Sequence, residues 1–187
     1  MSTYKLEQQK IIKDALQTIE QYPDDVEAHK QAAISFLRLG SPSRSLSAVK
    51  VALVLQPGNL ASLLLCGEAA EQQADFEEAS KCYHAVYDEI KGRPADADTD
   101  DIDLSVAKTK VFRGLMSWAR VLIRKNEFPQ AYLVLLRCQL LHGYSSELAN
   151  MIGNKGFNNL SSGNNYVFSN YRYRKNENGI WERHDRI

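Results

Sequence analysis

The chain repeats itself at a fixed interval. Setting residues 26–57 above residues 60–90 pairs His29 with Leu63, Ala33 with Gly67, Ser45 with Ala79 and Val49 with Tyr83, each 34 positions apart. A fixed period of this size marks a stack of supersecondary units, each of which buries its apolar face against the next. The first copy supplies His29, Ala32, Ala33, Phe36, Ser45, Val49, Ala52 and Pro57; the second supplies Leu63, Cys66, Gly67, Ala70, Ala79 and Tyr83. Small residues let the two helices of a unit approach closely, and large ones fill the gap to the neighbouring unit.

A third copy follows 52 residues after the second, with Leu115, Trp118, Ala119, Leu122, Phe128, Ala131 and Leu135 in the same relative positions. The surplus is an insertion at 92–103. It opens with Gly92, Arg93 and Pro94 and continues with Asp96, Asp98, Asp100, Asp101 and Asp103, which reads as a breaker followed by a solvated acidic loop. Apolar periodicity resumes at Leu104, Ala107, Val111, Leu115, Trp118 and Leu122. This spacing predicts one helix of about 20 residues, begun two turns early and capped by Asp101 or Asp103. Upstream, residues 4–21 read as a single helix with Leu6, Ile12, Ala15, Leu16 and Ile19 on one face, ended by Tyr22, Pro23 and Asp24. Downstream, residues 145–152 read as a short helix stopped by Gly153.

Over residues 4–152 these copies resemble the tetratricopeptide repeat (TPR) family, because spacing, small-residue positions and a repeat-ending Pro agree together. The resemblance implies an all-α fold, a right-handed superhelix of paired antiparallel helices, with repeats at about 26–59, 60–91 and 104–143 and a separate tail at 153–187. It also implies a non-enzymatic scaffold, adaptor or chaperone-like subunit of a complex that holds a partner segment in its concave face. In such repeats the first helix of each pair builds that face. The implied groove is Lys30, Ile34, Leu37, Leu64, Glu68, Arg113, Met116, Arg120, Ile123 and Arg124. One subfamily clamps a C-terminal carboxylate with Lys, Asn, Asn, Lys and Arg. Here only Lys30 and, approximately, Arg113 match, while Ile34 and Leu65 stand where the two Asn belong, so that clamp is not expected.

An apolar floor (Ile34, Leu37, Leu64, Met116, Ile123) with a basic end (Arg113, Arg120, Arg124) suits an extended or helical protein segment carrying apolar anchors and acidic groups. The alternatives are that the aromatic tail fills the groove or that these residues are core. In repeat count and size the chain is also similar to small bacterial secretion chaperones, which keep hydrophobic secreted subunits soluble.

From Gly153 onward helical periodicity gives way to Asn, aromatic and basic residues. Residues 167–174 and 180–185 flank a segment containing Asn178 and Gly179, which predicts a β-hairpin that must dock on the helices or on a partner. Its expected contact residues are Tyr166, Phe168, Tyr171, Tyr173, Arg174 and Trp181. Aromatics interleaved with cations are also what single-strand nucleic-acid binders use, so an RNA-binding accessory subunit working through the basic C-terminal half is the second functional expectation. Glu177, Glu182 and Asp185 dilute that field and favour a docked or partner-capturing hairpin.

Catalytic and metal chemistry find little footing. Asp96, Asp98 and Asp100 start like a calcium loop, but Asp101 stands where Gly is needed and Ala107 where a bidentate Glu is needed. Cys138 and His142 share a helical spacing suited to zinc but form only two ligands, and Cys82 with His84 supplies no clear second pair. No nucleophilic triad or Gly-rich phosphate loop is present, so neither a catalytic residue nor a cofactor nor a metal is expected. Cys66, Cys82 and Cys138 read as reduced core thiols.

With 187 residues, 44% of them hydrophobic, the chain can bury a sizeable core, and it has no apolar run long enough for a membrane span. Residues 1–10 lack the apolar region of a signal peptide, so a cytoplasmic location is expected. The formal charge of zero is a cancellation. Residues 1–103 hold 10 basic and 18 acidic side chains, and residues 104–187 hold 13 and 5, a polarity that suits head-to-tail self-association or orientation of a polarised partner.

Overall fold

Four polar residues standing just ahead of helices set the frame of the molecule. Asp25 Oδ1 accepts a hydrogen bond from the amide of Ala28 at 2.9 Å, Asn59 Oδ1 from Ser62 at 2.8 Å, and Asp75 Oδ1 from Glu78 at 3.1 Å. Asp103 Oδ1 accepts from Ser105 at 2.7 Å and from Val106 at 3.4 Å, and these bonds hold its carboxyl below the usual carboxylate range. Each cap satisfies amides that the first turn leaves without partners, worth about 1 kcal/mol apiece for Asp25, Asn59 and Asp75. The computed structural model describes residues 3–91 and 103–142, together with the backbone of residues 165–168, 171–175 and 181–186.

Seven helices occupy the described residues: α1 (Thr3–Gln21), α2 (Val26–Arg38), α3 (Pro42–Leu55), α4 (Leu60–Gln72), α5 (Phe76–Ile90), α6 (Leu104–Arg124) and α7 (Phe128–His142). The helical region is all-α, and consecutive helices from α1 to α5 pack against one another as hairpins. The expected long third-copy helix is α6, 21 residues that begin immediately after Asp103. Most of the acidic insertion, including Asp96, Asp98, Asp100 and Asp101, lies outside the described residues, as does the expected helix at 145–152.

The 34-residue period reappears as geometry. α2 and α4 are both 13 residues long and start 34 positions apart. α2, α4 and α6 all end in one hydrogen-bond pattern, in which one residue's amide returns to a carbonyl three back and the next residue's amide to a carbonyl five back. The pairs are Gly40 to Leu37 and Ser41 to Phe36, Ala74 to Glu71 and Asp75 to Ala70, Asn126 to Ile123 and Glu127 to Leu122. This is the Schellman arrangement, which needs a left-handed residue at the turn. Gly40, Ala74 and Asn126 fill that place with φ of 71°, 59° and 61°. The stretch after α1 matches the one after α3. Asp25 donates its amide to Tyr22, and Asn59 to Gln56, so α1 stands where the second helix of a unit would.

Two compact units are delimited within the chain, Met1–Gly114 and Leu115–Ile187, with the division inside α6. In the first, Ala15, Ala32 and Phe36 form one cluster with Ile12 and Ile19, joining α1 to α2. A second cluster, Ala33, Val49, Leu65, Cys66 and Cys82, ties α2 through α5 together, with Ile34 and Leu37 packed on its edge. In the second unit Leu115, Met116, Ala119, Leu122, Ala131, Leu135 and Cys138 are buried.

The tail holds more pairing than one hairpin. β1 (Asn165–Phe168), β2 (Tyr171–Lys175) and β3 (Trp181–Arg186) form an antiparallel sheet in chain order. The expected strand at 167–174 is thus two strands, because Phe168 pairs with Tyr171 and leaves only Ser169 and Asn170 between them. The hairpin expected around Asn178 and Gly179 is β2 with β3, in which Lys175 faces Trp181. Between the pairs Tyr173 with Arg183 and Tyr171 with Arg186, β3 advances by one residue more than β2, a bulge.

Candidate partner-binding groove

α2 and α4 open successive helical hairpins of the first compact unit, and a cavity of about 390 Å3 lies between their exposed faces and the first turns of α6. Its lining is Lys30, Ile34, Leu37 and Arg38 from α2, Ala61, Leu64, Leu65 and Glu68 from α4, and Lys110 from α6. Helical spacing explains the set: positions 30, 34, 37 and 38 fall on one face of α2, and 61, 64, 65 and 68 on one face of α4. The opposite face of α2 carries Ala28, Ala32 and Phe36, which are buried.

The floor is apolar. Leu64 is 1% exposed and belongs as much to the core as to the cavity, whereas Ile34 and Leu37 are half-buried and reachable. The rim is cationic. Lys30 Nζ lies 2.8 Å from Glu27, with a side chain 13% exposed, and Lys110 Nζ lies 2.6 Å from Glu68. Arg38, at the end of α2, is exposed. Counting the ion-paired Glu27 and Glu68 against Lys30, Arg38 and Lys110, the rim keeps a small net positive charge above an apolar base.

Five residues expected in the groove, Lys30, Ile34, Leu37, Leu64 and Glu68, meet in this cavity. Arg113 is exposed and does not line it. In the second unit Met116 is buried at 2%, Ile123 is half-buried, and Arg120 and Arg124 are exposed, with Arg124 Nε donating to the Arg120 carbonyl at 3.4 Å. Lys110 was not expected. It lies ahead of the point where the third copy's first helix would start by the repeat period, on the two extra turns with which α6 begins.

Of the tail residues, Tyr166 pairs with Tyr173, Phe168 with Tyr171, Arg174 with Asn165 and Glu182, and Trp181 with Lys175 along the backbone. Among the described residues no group of three His, Cys, Asp or Glu side chains is placed to hold a metal ion. No described helix is long and apolar enough to cross a membrane. Neither a protein-family model nor a curated protein matches the sequence.

Proposed function

We propose that this chain is a TPR-like protein-interaction module, a scaffold, adaptor or chaperone-like subunit that holds a partner segment in the groove of α2, α4 and α6. The observation that carries this reading is the cavity itself: reachable Ile34 and Leu37 over an apolar floor, edged by Lys30, Arg38 and Lys110. A segment with one or two aliphatic or aromatic anchors followed by Asp or Glu fits that pattern, since anchors gain from burial and acidic groups from the rim. The repeated caps and Schellman turns support the repeat assignment independently of side-chain similarity. The reading is of a cytoplasmic binding protein without catalytic residues or cofactor.

Selection of a random peptide library on the full chain is the direct test. Enriched peptides should combine apolar anchors with acidic neighbours and bind about tenfold or more weakly to Ile34→Glu, a half-buried position that tolerates the change better than Leu64. Equal affinity for a folded Ile34→Glu protein would remove the groove from the account.

A second reading, contact with single-stranded RNA through the tail, is favoured by the sheet register, which sets Tyr173 opposite Arg183 and Lys175 opposite Trp181. RNA affinity should then fall steeply with added salt, whereas groove binding through apolar anchors should change little.

A further inference from the structure

Cys66 on α4 and Cys82 on α5 face each other inside the hydrophobic cluster of the first unit, with their sulfurs 2.7 Å apart. That is closer than two unbonded sulfurs comfortably sit, and a closure of about 0.6–0.7 Å would bring them to the S–S bond length of about 2.05 Å. A zinc ion fits poorly here. Tetrahedral thiolates about 2.3 Å from zinc hold their sulfurs nearly 4 Å apart, and no third ligand stands near among the described residues.

We propose that Cys66 and Cys82 are a modification site, a dithiol that peroxide oxidises to an intramolecular disulfide joining α4 to α5.

The chemistry balances with hydrogen peroxide as the only oxidant. One sulfur attacks a peroxide oxygen, the O–O bond breaks, and a sulfenic acid and one water result. The second sulfur then attacks the first, the S–O bond breaks, and the displaced hydroxyl leaves as a second water with the remaining thiol proton. In sum two thiols lose two protons and two electrons, and one peroxide becomes two waters. Cys66 is the attacking sulfur, because the Cys82 S–H bond donated to it favours its thiolate, as does the Lys50 ammonium. The same shared proton, with burial, pushes the Cys82 thiol up.

Access selects the oxidant. Cys66 is 2% and Cys82 9% exposed, which admits a small molecule such as peroxide and excludes the active site of a protein oxidant. The ion pair of Lys50 and Glu78, at 2.8 Å, acts electrostatically on both thiols. Cys138 is buried in the second unit, so it serves as an internal reference. This inference stands apart from the occupant of the groove, although Leu65 belongs both to the cysteine cluster and to the cavity lining.

The test uses the full chain under native conditions, treated with hydrogen peroxide at a dose that fully oxidises dithiothreitol in parallel. The protein is then quenched, denatured, alkylated and digested for mass spectrometry. The expected result is a linked peptide pair containing Cys66 and Cys82, an alkylated Cys138, and recovery of both thiols with reductant. Cys138→Ser should leave the linkage intact. Alkylation of all three cysteines in treated protein would overturn the proposal, as would sulfinic acid at Cys66 or Cys82 without linkage, or disulfides between chains. Because the decisive measurement is made on the unaltered protein, it does not depend on whether Cys66→Ala or Cys82→Ala folds.

Discussion

Gly114 lies against one edge of the Tyr83 ring, so close that a methyl group on Gly114 would overlap the aromatic carbons. The other edge of the same ring lies against Gly67, where a Cβ would stand 2.7 Å from Cε1. Tyr83 is 2% exposed, and its hydroxyl donates to Glu71 at 3.1 Å. One α5 side chain thus spaces α4 from α6, and two glycines make room for it.

Gly114→Ala is expected to destabilise the protein by about 1–3 kcal/mol, as overpacking in a closed site does. The ring cannot retreat, because Gly67 lies on its other side. Gly67→Ala should cost less, since its Cβ meets the ring at a longer distance. Urea midpoints of the two variants check the order. Tyr83→Phe, which keeps the ring and loses the bond to Glu71, should cost about 1 kcal/mol.

How much of this was legible in sequence depends on which residues carried a signal. Gly67 and Tyr83 stand at repeat positions, so the 34-residue period places them on facing helices. Gly114 aligns with Ala28 and Ser62, so the period marks a small buried residue there, but nothing in its neighbours announces the Tyr83 ring that requires glycine. The groove shows the same division. Lys30, Ile34, Leu37, Leu64 and Glu68 follow from helical spacing, whereas Lys110 enters only because α6 starts two turns early and brings an ammonium to Glu68. In the tail, an aromatic-rich run from Val167 to Arg174 has one continuous alternation, and only the pairing of Phe168 with Tyr171 divides it into two strands.

Ala74 is the alanine among three equivalent turn positions, with φ of 59° where its counterpart Gly40 has 71°. A left-handed conformation crowds a Cβ against the following carbonyl, at a cost of about 1–2 kcal/mol, partly offset by the lower unfolded-state entropy of Ala. Ala74→Gly should therefore stabilise the protein by about 0.5–1 kcal/mol, and Gly40→Ala should destabilise it by a similar amount. Thermal melts of the pair settle the matter: equal and opposite shifts are expected, and a lower melting point for Ala74→Gly would contradict the shared Schellman geometry.

The ion pair of Lys110 with Glu68 separates binding from stability. Its side chains are 40% and 29% exposed, so solvent screening limits its worth to less than about 1 kcal/mol. Lys110→Glu should barely move the melting temperature. In the groove it replaces a rim cation with a second carboxylate beside Glu68, so an acidic peptide bound there should lose about tenfold or more in affinity. Isothermal titration with one selected peptide compares the two proteins, and an unchanged affinity would place the acidic groups of the peptide elsewhere.

Alkaline pH reports on Cys138. Its side chain is 0% exposed, and burial pushes its thiol up to about 12. In the unfolded chain a thiol ionises near ~8.5. Below that value both states hold the proton and the contribution to stability is constant. Above it the unfolded state sheds a proton that the folded state keeps, so stability falls by up to about 1.4 kcal/mol per pH unit until the folded thiol itself ionises. Tyr83 adds a loss of the same sign above ~10, because burial, with Glu71 alongside, pushes its phenol up. Cys66 and Cys82 titrate as a pair in both proteins, so the difference between wild type and Cys138→Ala isolates the single thiol. Urea unfolding from pH 7 to 10 should show the variant losing less stability than wild type from pH 9 upward, and parallel curves would mean that Cys138 titrates as freely in the folded chain as in the unfolded one.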